Sequence, residues 1–120
     1  LVPGSNGEGL KLRSESPGGP TLSIMAEKRY HLIISGRVQG VLFRYNSKLK
    51  ADRLGIYGWV QNMKDGSVEI VCQGEAGKLR EFIDWCGKGP FLAKVRGIKI
   101  TEERVKKEFQ SFSIRYAIVV

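Results

Sequence analysis

The residues of this chain best placed to do chemistry lie in one nine-residue stretch, Gly36–Arg44, GRVQGVLFR. It runs into a segment with helical spacing, yet no Ser, Thr, Asp or Asn stands just before Val41 to accept the first N–H groups of a helix. Glycines at both ends of Gly36–Gly40 let the backbone curl so that several N–H groups point inward together. Unpaired N–H groups at the positive end of a helix dipole make an anion site. Arg44 falls in the first helical turn, where a cation opposes the dipole at a cost of roughly a few tenths of a kcal/mol or more. Arg37 brings a second guanidinium to the same loop. A bound phosphate would reverse that penalty, because arginine grips two of its oxygens as a fork. The residues alone leave a second reading open, a glycine turn whose two arginines reach into water.

Other polar candidates are fewer. Asn62 stands just before Lys64-Asp65-Gly66, and in an arbitrary hairpin such an Asn bonds its own backbone. His31 is the only histidine; flanked by strand residues and unaccompanied, it reads as a partly exposed strand residue and not as a base or ligand. Cys72 and Cys86 show no CxxC spacing and no nearby histidine, so both read as small buried apolar residues, and no metal or cofactor is expected. Trp59 and Trp85 read as core or sheet-edge aromatics.

The elements that must position these residues follow from periodicity. Arg29–Ser35 sets Tyr30, Leu32 and Ile34 against Arg29, His31, Ile33 and Ser35, which predicts a strand. A helix is predicted over Leu42–Leu54, with Leu42, Tyr45 and Leu49 as its apolar stripe and Gly55 as its stop. Tyr57–Asn62 and Val68–Gln73 read as two strands joined at Asp65-Gly66, a strong hairpin signal. Leu79, Phe82, Ile83 and Cys86 give the stripe of an amphipathic helix over Glu75–Cys86, ended by Gly87, Gly89 and Pro90. Lys94–Thr101 predicts a fourth strand, and Phe109–Val120 a fifth element with Phe112, Ile114, Tyr116, Ile118 and Val120 on one face. The order β-α-β-β-α-β plus one strand predicts an α+β, ferredoxin-like sandwich: two helices on one face of a four- to five-stranded, mainly antiparallel sheet. The first and second strands are expected side by side, bringing Asn62 toward Arg44. Such an order does not by itself give a function.

Leu1–Ser23 holds three of the four prolines and five of the fifteen glycines and lacks apolar residues enough to offset the entropy of ordering it. Residues 1–24 are therefore expected to be a disordered leader; LVPGS resembles the remnant of a cloning or protease-site linker, and Met25 reads as the natural start of a single domain over residues 25–120. Lys and Arg number 20 against 12 Asp and Glu, a net charge of +8. The leader's Lys11 and Arg13 cancel Glu8 and Glu15, so the whole surplus belongs to the domain. That surplus favours anionic partners without choosing among phosphorylated metabolites, nucleic acid and acidic membranes, and a solvated basic surface fits it equally. No apolar run approaches the roughly 20 residues needed to span a bilayer. A soluble protein of a reducing compartment, the cytoplasm, is expected.

GRVQGVLFR, followed after six intervening residues by Ala51 and then by Leu54-Gly55, closely resembles the acylphosphatase signature. Its second half follows as Gly58-Trp59-Val60-Gln61-Asn62, Asp65-Gly66-Ser67-Val68-Glu69 and Gln73-Gly74, and Phe112-Ser113-Ile114-Arg115-Tyr116 resembles the family's closing strand. The resemblance covers about Arg29 to Tyr116. It implies a ferredoxin-like enzyme that hydrolyses carboxyl-phosphate anhydrides without a metal. By position it makes Arg44 the phosphate-binding arginine, Asn62 the water-orienting asparagine, and Arg37, Val38, Gln39, Gly40 and Val41 the backbone cradle. It also implies a substrate-assisted step, with a phosphate oxygen taking the water proton. Its partners would be a small acyl phosphate and inorganic phosphate, with no membrane, no specific nucleic acid and a monomeric state. Three features depart from the pattern: Leu42 stands where a small residue is often found, Ala117–Val120 runs past the usual Arg-Tyr ending and would lengthen the last strand, and the leader has no counterpart in the short family members.

The principal alternative is a basic nucleic-acid-binding module on the same fold, supported by the charge and a sequence pI of 9.7. Such domains carry stacking aromatics on their central strands. Here the third strand reads SVEIVCQG, without an aromatic and with Glu69.

Overall fold

The computed structural model describes residues 26–116; the expected leader and the proposed strand extension over Ala117–Val120 lie outside the described residues. In chain order the elements are β1 (Glu27–Arg37), α1 (Phe43–Leu54), β2 (Tyr57–Asn62), β3 (Val68–Glu75), α2 (Ala76–Lys88), β4 (Lys94–Glu103) and β5 (Phe112–Arg115). They form two helices on one five-stranded sheet of order β4-β1-β3-β2-β5. Every neighbouring pair is antiparallel except β2 and β5, which run parallel. The ferredoxin-like expectation holds, and the final strand completes the sheet at its β2 edge.

Alternation decides which face meets the helices. Leu32 and Ile34 of β1, Val60 of β2, Val68, Ile70 and Cys72 of β3 and Phe112 of β5 are all buried against Phe43 and Ala51 of α1 and Leu79, Phe82 and Cys86 of α2. Aromatic contacts knit this layer: Phe82 packs on Trp85 and edge-on to Phe112, and Phe43 on Trp85, with centroids 5.5–6.4 Å apart. Burying each such ring contributes roughly 1.5–3 kcal/mol.

Two expectations are overturned. β1 and β2 are not neighbours; β3 lies between them, because the Asp65-Gly66 hairpin folds β3 back on β2 and β1 then takes β3's other edge. Asn62 reaches Arg44 by another route: α1 leaves the end of β1, passes over the sheet and packs on β2 and β5. Nor is Leu42–Tyr45–Leu49 the core stripe of α1. These three are exposed, and Phe43, Ser47 and Ala51 face inward instead. The helix begins one residue later than expected, and Ser47 is tolerated in the core because its hydroxyl donates to the Arg44 carbonyl at 2.9 Å. Small residues at 47 and 51 suit a helix lying close on the sheet.

On the sheet's other face, the chain crosses from β4 at one edge to β5 at the opposite edge. Gln73 binds this crossing through both ends of its amide, donating to the Lys106 carbonyl and accepting from the Lys106 N–H. Buried Arg29 holds Glu103 and Glu108 and lies over the Phe109 ring. Desolvation lowers the Arg29 pKa, but the two carboxylates outweigh it and raise the value above normal.

Both thiols are buried as expected, and burial pushes Cys72 up to about 12 and Cys86 well above its ordinary value. Raised values mean that the folded state favours the neutral thiols. Their contribution to stability is whole below the unfolded thiol value, about 8.5, and is lost as pH rises toward the folded values. Iodoacetamide at neutral pH should therefore leave both cysteines unmodified in the folded protein and alkylate both in denaturant. Mass spectrometry reads the outcome, and rapid alkylation of the folded protein would contradict their burial.

Candidate active site

The site is built where β1 hands over to α1. Gly36 lies inside β1, not at the head of a loop, and marks a bulge where the β1–β4 register shifts. Its φ is +121°, and a Cβ there would stand 2.1 Å from the Lys94 carbonyl oxygen, so the close approach of β4 requires glycine. Beyond Arg37 the chain turns, with Val38 and Val41 buried beneath it as anchors. Gln39 ties the turn to the neighbouring hairpin: its Nε2 donates to the carbonyl oxygens of Met63 at 2.8 Å and Ser67 at 2.9 Å. This side chain fixes the distance between the loop and the end of β2, where Asn62 sits. Asp65 stabilises the same hairpin, accepting from the Ser67 hydroxyl at 2.6 Å and the Ser67 N–H at 2.9 Å. Those bonds lower the Asp65 pKa, the Ser67 hydroxyl most of all.

The start of α1 is uncapped, as its sequence implies. Leu42 occupies the cap position, no side chain accepts from the first turn, and that turn holds no acidic residue. Among the described residues, no backbone carbonyl accepts from the N–H groups of Val38, Gln39, Gly40 or Val41. Several N–H groups without a backbone acceptor therefore stand next to the positive end of a helix. Arg44, half-buried in the first turn, has no carboxylate partner among the described residues, and its guanidinium lies over the Tyr116 ring, 5.0 Å from the centroid.

One cleft of about 360 Å³ gathers these parts, lined by Val38, Gly40, Leu42, Arg44, Asn62 and Tyr116 among others. A wider depression of about 1130 Å³ lies beyond Asn62 and shares Asn62 and Tyr116 with it; Gln39, Lys64 and Arg115 also line that side. Of the expected site residues, Arg44, Asn62, Val38 and Gly40 thus meet in one cleft and Gln39 borders the adjoining one. Arg37, exposed at the end of β1, lines neither, and Val41 is buried below.

A family model for acylphosphatases matches residues 30–114. The chain belongs to the acylphosphatase family. An acylphosphatase of Rubrobacter xylanophilus is 46% identical over 88 residues, covering 73% of this chain and 80% of its own length. One from Methylococcus capsulatus is 44% identical over 87 residues, covering 72% and 95%. The crystal structure of the Bacillus subtilis acylphosphatase superposes with a TM-score of 0.72 at 40% identity, covering 74% of this chain and 99% of that one. The activity of this acylphosphatase is the hydrolysis of acyl phosphates to a carboxylate and phosphate. The nucleic-acid reading is not favoured. At the centre of the sheet's open face Glu69 stands between His31 and Gln61, each 2.7 Å away, in place of a stacking aromatic. His31 is thus not unaccompanied: Glu69 is its diagonal neighbour across the β1–β3 pair, a contact set by register.

Three residues in or beside this cleft carry no such role in the sequence alone. Tyr116 was legible only as one more apolar position of the last strand, yet it is exposed and carries Arg44. Asn46 gave no signal; its Nδ2 and its N–H both donate to the Leu42 carbonyl, at 2.9 and 3.0 Å, fastening the loop's exit. Leu42 stood out as a departure in size, but its conformation did not: φ 62° and ψ 28° make it the one non-glycine residue of positive φ among those described. Left-handed backbone costs an L-residue about 1–2 kcal/mol. Leu42→Gly should therefore raise stability by about 1 kcal/mol, after the greater unfolded-state entropy of glycine is set against the relief. A rise in urea midpoint at unchanged slope checks this; a fall would show that Leu42 is not strained.

Proposed function

We propose that this cleft carries the acyl-phosphate hydrolysis, with Arg44 and the N–H groups of Val38, Gln39, Gly40 and Val41 holding the phosphoryl oxygens and Asn62 aligning the attacking water; Arg37, paired with Lys94 in the sheet, stands at the loop's entry. The observation that carries the reading is the presence, in one cleft, of an uncapped helix start, an arginine without a carboxylate partner and an asparagine. An acyl phosphate departs as a carboxylate, a weak base, so no general acid is needed. Transfer through a loose transition state asks chiefly for positioning and for stabilisation of charge on the equatorial oxygens. Fixed N–H dipoles and the Arg44 guanidinium supply the second before reaction begins. The Asn62 amide supplies the first, holding a water in line behind phosphorus with the depression beyond it open to solvent. The water proton passes to a phosphate oxygen, so no His, Asp or Cys has to act as a base and no metal is called for.

The substrate is a small carboxyl-phosphate anhydride, and the protein acts as a monomer in the cytoplasm. No helix among the described residues is long and apolar enough to cross a membrane. Benzoyl phosphate, supplied with a chelator, is expected to be turned over. A folded protein inert toward it would overturn the proposal and leave the cleft an anion-binding site.

A further inference from the structure

Leu42 violates two local rules at once. It stands at the N-cap of α1, where an apolar residue satisfies no N–H, and it holds a left-handed conformation that glycine would adopt without strain. Strain held at the edge of a reaction site calls for a function. Leu42 is 67% exposed and Tyr45, one turn on, is 55% exposed; both line the cleft that holds Arg44 and Asn62. Neither packs into the core, so the fold gains little from them.

In-line displacement fixes where the rest of the substrate must go. Water and leaving group stand on opposite sides of phosphorus. If Asn62 holds the water, the acyl group points away from Asn62, and the depression beyond Asn62 is closed to it. Away from Asn62, the exposed apolar residues of the rim are Leu42 at the cap of α1 and Tyr45 in its first turn, while Tyr116 lies against Arg44 and is shared with the depression on the Asn62 side. Resting on the roles proposed for Arg44 and Asn62, we infer that Leu42 and Tyr45 form an acyl platform, and that this enzyme selects acyl phosphates with an apolar acyl group several carbons long. Such a platform touches the acyl group alike before and during reaction, so it acts on KM and leaves kcat largely untouched. Covering a few methylenes on a half-open surface gives a preference of about tenfold.

The experiment compares acetyl phosphate with hexanoyl phosphate, both with chelator, for the parent, Leu42→Gly, Tyr45→Ser and the double variant. Leu49→Ser serves as control, because Leu49 continues the exposed stripe but does not line the cleft. The parent should show a KM for hexanoyl phosphate about tenfold below that for acetyl phosphate at similar kcat. The double variant should bring the two KM values within about twofold, whereas Leu49→Ser should keep the parent's ratio. An active parent without the preference, or a double variant that retains it, overturns this inference and leaves the hydrolase reading intact. A parent inert toward both substrates overturns the hydrolase reading as well.

Discussion

Arg44→Gln should lower turnover of benzoyl phosphate by about 10³-fold or more, the loss typical of removing an arginine from a phosphoryl-transfer site, while leaving the protein at least as stable as before. The two effects have one origin. The guanidinium lies in the first turn of α1 with no carboxylate partner among the described residues, so it opposes the helix dipole until phosphate arrives. Removing it relieves that opposition and deprives the transition state of its fork of donors. Phosphate should also cease to raise the unfolding midpoint, since a ligand stabilises only the state that binds it. Turnover assays and thermal unfolding with and without phosphate check these outcomes. A variant that keeps its activity would remove Arg44 from the mechanism. One that loses activity only because it unfolds would make it structural.

Asn62→Ala should separate binding from chemistry. The residue is half-buried at the end of β2, and the hairpin beside it is held by Asp65, Ser67 and Gln39. Truncation should therefore change stability by no more than about 0.5 kcal/mol. Turnover should fall by about 10²-fold or more, because a misaligned water loses the advantage of a fixed approach. Protection by phosphate should persist, since the loop N–H groups and Arg44 are untouched. Loss of phosphate binding together with activity would place Asn62 among the phosphate ligands and leave the water without a positioning group.

How much of this was legible follows from which residues have local signatures. Val68, Ile70 and Cys72 recur at every second position, and Leu79, Phe82 and Cys86 keep helical spacing, so the core faces of β3 and α2 could be read from period. α1 could not be read in the same way. Its inward face consists of Phe43, Ser47 and Ala51, two of them small, while its larger apolar residues serve the cleft and the surface. A pattern rule assigns such residues to the core because it cannot know that a site is competing for them. The uncapped loop was visible, since the absence of a cap is a statement about adjacent residues. The Gln39 bridge to Met63 and Ser67 was not, because it joins positions more than twenty residues apart and depends on the hairpin's place in the sheet. The same holds for the separation of β1 from β2, which is a matter of edge occupancy and not of any strand's own composition. Tyr116 was hidden for a third reason: its value to the site lies in a ring face offered to Arg44, and strand periodicity reads every aromatic as core.

The most direct measurement of the central claim is hydrolysis of benzoyl phosphate in heavy-oxygen water, with the label located in the products by mass spectrometry. A water held by Asn62 behind phosphorus, with Arg44 and the loop on the phosphoryl oxygens, must deliver its oxygen to phosphate and leave benzoate unlabelled. Label in benzoate would mean attack at the carbonyl carbon, which neither the arginine, the loop nor the asparagine is arranged here to assist.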